Sequence, residues 1–96
     1  MTPEEKDLYE RNIKYHGIEL ETTIAMEECS ELIKAISKCK RYGCEDEYRD
    51  NLIEEMADVL FILDELKLIY DISDDTIADT KKYKIDRQSY RIENNL

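Results

Sequence analysis

Glu28 with Glu31, and Glu55 with Asp58, are the residues of this chain best equipped to do chemistry. Each pair is separated by three positions, which puts both carboxylates on one face of a helix. Spacing alone carries no weight. With acids at one position in four, about six such pairs arise by chance, and the sequence holds six. Context separates these two from the rest. Glu4/Asp7 and Asp7/Glu10 lie in a polar stretch, Glu47/Asp50 opens a helix where acids suit the dipole, and Asp71/Asp74 falls in a turn. Glu28 and Glu31 instead line up with Ile24, Ala25, Leu32 and Ala35, and Glu55 and Asp58 with Leu52, Val59, Ile62 and Leu66. Asp58 is the only ionisable residue between Met56 and Leu63.

A carboxylate on an apolar face costs several kcal/mol unless something compensates it. Four facing one another repel, and their pKa values rise unless a cation neutralises them. Hard, all-oxygen ligands suit Mg²⁺ or Mn²⁺ rather than zinc or copper. A di-iron carboxylate bundle needs Glu-x-x-His motifs, and the single histidine, His16, lies on neither stretch. The alternative is that the acids pair with Lys or Arg across a helix interface.

The periodicity predicts four helices to hold these groups. The first runs from about Pro3 to Tyr15, with proline at a tolerated first-turn position and His16-Gly17 as the break. The second spans Ile18 to Tyr42, with a basic end at Lys38, Lys40 and Arg41 and Gly43 as its stop. Glu45, Asp46 and Glu47 open the third, which reaches Tyr70; its centre is apolar on nearly every face and belongs in the middle of a bundle. After a turn at 71–75, with Ser73 or Asp74 as N-cap, the fourth begins near Asp75 and carries Lys81, Lys82, Lys84, Arg87 and Arg91. Tyr9, Tyr15, Tyr83 and Tyr90 stand at helical positions that suit a core or an interface.

Composition agrees. Two Gly and one Pro leave little material for the turns of an all-β fold. At 96 residues one domain is expected, gaining stability from oligomerising. A net charge of −10 disfavours direct binding to nucleic-acid backbones or anionic membranes. No apolar run is long enough for a membrane span, and the N-terminal residues lack the apolar stretch of a signal peptide. Cys29, Cys39 and Cys44, odd in number and without a CxxC, fit neither a disulfide framework nor a zinc site, and are expected to be reduced thiols of a cytoplasmic protein.

Glu27-Glu28-Cys29-Ser30-Glu31-Leu32-Ile33-Lys34-Ala35, followed after about two dozen residues by Glu54-Glu55-Met56-Ala57-Asp58-Val59-Leu60, resembles the ExxE…ExxD signature of the all-α nucleoside triphosphate pyrophosphohydrolases. It is most similar to the small MazG-like proteins, including those of phages and prophages. The resemblance covers about Ile18 to Arg91. It implies a four-helix bundle completed by homo-oligomerisation, as a dimer or tetramer. It also implies that Glu28, Glu31, Glu55 and Asp58 hold Mg²⁺, with Mn²⁺ as a substitute.

The implied reaction splits a nucleoside triphosphate between its α- and β-phosphates, giving the monophosphate and pyrophosphate. Glu27 then stands as a base or an outer-sphere ligand, or as a solvated surface group. Lys34, Lys38, Lys81, Lys84 and Arg87 are the expected phosphate-binding bases. The basic segment departs from the family pattern by lacking its usual Asn, with Asp86 and Gln88 at the nearest positions. The expected organisation is one domain over 1–96, with an N-terminal helix at 1–17 and a motif-bearing core at 18–91. Two rivals are phosphoribosyl-ATP pyrophosphatase, with the same chemistry on another substrate, and a non-enzymatic acidic helical protein such as a DNA mimic.

Overall fold

Thr2 starts the first helix by the reciprocal device that a Thr-x-x-Glu sequence permits. Its hydroxyl accepts from the Glu5 amide at 3.1 Å, and the Glu5 carboxylate accepts from the Thr2 amide at 2.7 Å. In the computed structural model, which describes Met1–Leu96, this helix, α1, spans Pro3–His16. Gly17 breaks it at φ +88°, a backbone conformation that side chains with a Cβ disfavour, and α2 follows at once over Ile18–Tyr42. Gly43, at φ +92°, ends α2 in the same way. After a loop too short for a crossover, α3 runs back antiparallel over Asp46–Ile69. The Cys39 thiol donates to the Tyr48 carbonyl at 3.5 Å and helps close this hairpin.

α2 and α3 are the most extensively packed pair, and α1 lies against both. The expected apolar faces meet there. Ala25, Ala35 and Ile62 are buried, and Ile24, Leu32, Leu52, Val59 and Leu66 are half-buried beside them. Tyr9 is α1's buried residue; its ring meets Phe61 edge to face with centroids 5.0 Å apart, and its hydroxyl donates to Asp64 at 3.0 Å.

The fourth helix, α4, spans Asp74–Glu93 behind a Ser73 cap whose hydroxyl accepts from the Thr76 amide at 3.1 Å. It is tied down only at its start, where Asp74 meets Lys67 at 3.2 Å and the N-terminal amine at 2.9 Å. No residue of α4 is buried. The fold is therefore all-α with four helices, three packed together and one standing off.

Two sequence expectations change as a result. The middle of α3 was expected to be covered all round, yet Met56, Leu60 and Leu63 are exposed, Leu60 by 66%. The reason is that α1 and α2 cover only part of α3 and α4 does not fold back over the remainder. Of the tyrosines expected in a core or interface, Tyr9 alone is buried within one chain; Tyr15, Tyr83 and Tyr90 are exposed.

Candidate metal centre

The antiparallel hairpin brings together acids that are far apart in sequence. Glu28 from α2 and Glu55 and Asp58 from α3 each offer a carboxylate oxygen within 4.8 Å of the others. Burial, then the neighbouring Asp58, pushes the Glu28 carboxyl up; burial, Asp58 and Glu31 do the same to Glu55. Glu55 Oε2 is buried with no hydrogen-bond partner. An orphaned carboxylate oxygen facing two further carboxylates is what a cation site looks like to its ligands. Hard oxygen donors without a thiolate or imidazole fit a divalent cation of the magnesium type.

Of the four expected ligands, three share this point. Glu31 sits at its edge: its side chain is 49% exposed and paired with Lys34 at 3.2 Å, but it lies close enough to raise both Glu28 and Glu55. Asp58, although surrounded by apolar residues in sequence, also faces solvent. Glu27 is exposed on the flank. Lys38 holds Glu55 down slightly and lines a cleft with Tyr42, Glu47, Tyr48 and Asn51 at the turn end of the hairpin.

The remaining expected phosphate ligands do not join the cluster within one chain. Lys81, Lys84 and Arg87 lie on α4, which buries nothing, so no packing holds them against the carboxylates. Arg87 instead covers the ring of Tyr83 at 5.7 Å.

A second polar layer escaped the reading of the sequence. Glu21 and Glu65 are 3% and 1% exposed. His16 Nδ1 is paired with Glu21 Oε1 at 2.6 Å, and the Asn12 amide donates to Glu65 Oε1 at 2.7 Å. Burial, and the Glu21 carboxyl beside it, pushes Glu65 up to about 7. Its signal was present but unused. Glu21 precedes Glu28 by seven residues and Glu65 follows Asp58 by seven, two helical turns each, so these acids share faces with the metal-type ligands.

Carboxylates facing one another across an antiparallel helix pair occur in more than one class of all-α metalloprotein, and comparison of sequences supplies the family. The family model described as MazG nucleotide pyrophosphohydrolase domain matches residues 17–89, most of the chain, and the protein belongs to that family. Comparison with curated proteins and with solved structures gave no match. The family is one of nucleotide pyrophosphohydrolases, typically dependent on a divalent metal, and the acidic cluster is the place in this chain that such an ion fits. No helix is long and apolar enough to cross a membrane.

Proposed function

We propose that the chain hydrolyses a nucleoside triphosphate, NTP or dNTP, to the monophosphate and pyrophosphate in a Mg²⁺-dependent reaction. One observation carries this reading: three carboxylates from two antiparallel helices converge within 4.8 Å, and one buried oxygen among them lacks any partner. Glu28, Glu55 and Asp58 would hold the cation, Mg²⁺ or in its place Mn²⁺, with Glu31 beside them as the fourth carboxylate. When bound, the cation offsets the charge of the triphosphate and polarises its phosphoryl oxygens. Glu27 takes the proton of the attacking water or orients that water from the edge of the site. Lys34 and Lys38 supply positive charge on the hairpin itself.

Lys81, Lys84 and Arg87 serve the phosphates only if a neighbouring copy presents them or α4 moves. The exposed apolar residues of α3 support the first option. Covering Met56, Leu60 and Leu63 with a second copy removes apolar surface from water, which favours a homodimer or homotetramer. On this reading residues 1–96 work as one unit, an N-terminal segment at 1–17 carrying α1 and a motif-bearing segment at 18–91, in the cytoplasm where triphosphates and reduced thiols coexist.

The test is pyrophosphate release with Mg²⁺ from each of the eight common nucleoside triphosphates, by the wild type and by Asp58→Asn. The expected result is turnover by the wild type and a loss of more than about a hundredfold in the variant. Equal background from both proteins on every substrate overturns the enzyme reading and favours the acidic helical interaction protein. Phosphoribosyl-ATP is assayed beside these triphosphates, and turnover of it alone would reassign the substrate and keep the chemistry.

A further inference from the structure

A cavity of about 240 Å³ opens between α1, α2 and α3, and its two ends differ in chemistry. At one end are Glu28 and Asp58 of the candidate metal centre; at the other are Asn12, His16 and Glu21, with Phe61 and Ile62 as walls between. Seven residues of helix separate Glu21 from Glu28, a rise of about 10 Å. The phosphate end and the far polar end are thus held apart on one rigid element.

The far end is built at some cost. Glu21 and Glu65 are nearly inaccessible, and apolar residues would pack more cheaply in their place. Their partners His16 and Asn12 come from α1, so docking of that helix completes the layer. Glu21 lines the cavity with a carboxylate, whose oxygens accept hydrogen bonds. Asn12 Oδ1 and His16 Nε2 have no protein partner and retain hydrogen-bonding capacity. Phe61 is steadied by the Tyr9 ring 5.0 Å away and gives the cavity a flat apolar wall.

A nucleobase has the matching form, with flat apolar faces and a polar edge. We infer that this cavity takes the base of the triphosphate, and that Glu21, Asn12 and His16 select a base with an amino group where thymine and uracil carry their 4-oxo group, as cytosine and adenine do, over thymine or uracil. The inference rests on the proposed hydrolase reading for its phosphate end and adds the substrate class. An exocyclic amine donates to Glu21, whereas the carbonyl oxygen at the same place on thymine or uracil meets a carboxylate oxygen and is repelled. Asn12, both donor and acceptor, can pair with the ring positions beside it.

Two measurements test this, one of them independent of metal and turnover. In a metal-free NMR titration of the labelled protein, deoxycytidine is expected to shift the Asn12 side-chain amide and the Phe61 ring, and thymidine to shift them far less. In kinetics with Mg²⁺, kcat/KM for dCTP and dATP is expected to exceed that for dTTP and dUTP by about tenfold, as for one hydrogen bond to a charged group. Glu21→Gln should abolish the preference by raising KM for dCTP while leaving kcat within about twofold. His16→Ala, at a side chain 36% exposed, gives a second variant should Glu21→Gln fail to fold.

Equal shifts from both nucleosides, or shifts absent from Asn12 and Phe61, overturn the inference even where turnover is normal. So does equal kcat/KM for all four substrates. Deoxycytidine-specific shifts without hydrolysis of any triphosphate support the base site and sink the hydrolase reading instead.

Discussion

The α2–α3 hairpin and α4 are made of similar material, apolar residues at helical spacing among many charges, yet they end in opposite states. The hairpin buries or half-buries Glu21, Glu28, Glu55 and Glu65 among Ala25, Ala35 and Ile62; α4 leaves every side chain in solvent, Ile77, Ile85 and Ile92 included. The hairpin therefore accepts an electrostatic cost that only a ligand, a shared proton or α1 relieves, while α4 has paid no such cost and gained no burial. The candidate site is pre-formed on the first region, and no packing fixes the second.

The largest test of this contrast is Leu60→Asp. If a second copy covers α3, the charge enters an apolar interface: light scattering should report a monomer, and the assembly should lose about 3–5 kcal/mol of stability. An unchanged mass and a stability within about 0.5 kcal/mol would show that α3's outer face is a true solvent face. Next in size is the cation. Mg²⁺ at a hundredfold excess over its dissociation constant should add about 2.7 kcal/mol, roughly 11–20 °C in Tm for a domain of this size. Asp58→Asn should abolish that rise, and an equal rise in the variant would place the cation elsewhere.

Glu65 offers a smaller effect with a defined sign. Its pKa is raised to about 7 from an ordinary 4.5, so the folded state binds the proton more tightly than the unfolded state. Its contribution is therefore favourable below about pH 4.5 and is lost as pH rises through 7. Glu65→Gln keeps an acceptor for Asn12 and a donor toward Glu21. It should stabilise the protein at pH 8 by about 1–2 kcal/mol and leave stability at pH 4.5 nearly unchanged, as read by urea unfolding at the two pH values. A gain of the same size at both would remove the proton from the account.

The smallest expected effect belongs to α4. Ser73→Ala removes its cap and ordinarily costs about 1 kcal/mol. Because α4 buries nothing in one chain, global stability of a monomeric form such as Leu60→Asp should change by less than about 0.5 kcal/mol while circular dichroism falls. A full loss of about 1 kcal/mol in that background would mean that α4 packs on its own chain.

Much of the fold was legible in the residues. Pro3, Gly17, Gly43 and Ser73 punctuate the chain, and the expected ends agree with the helices to within about two residues. The apolar stripes carrying Glu28 and Glu55 also pointed the right way, because a stripe at 3.6-residue spacing has only one face to bury. The standing of Glu31 and Asp58 at the solvent edge was not legible, since a position on an apolar face says nothing about how far the partner helix extends over it. Nor was the pairing of Glu21 with Glu65, whose i,i+7 relation to the motif acids gains meaning only when two antiparallel helices set the layers opposite each other.

The sequence by itself determined the helices, their order and the two acid motifs, because caps, breakers and periodicity act within a few residues along one chain. Only the tertiary structure decided which carboxylates face one another, that a second acid layer closes a cavity under α1, and that α4 stands away from the site. Those outcomes depend on the register and reach of one helix against another, which contacts between distant residues set and local sequence does not.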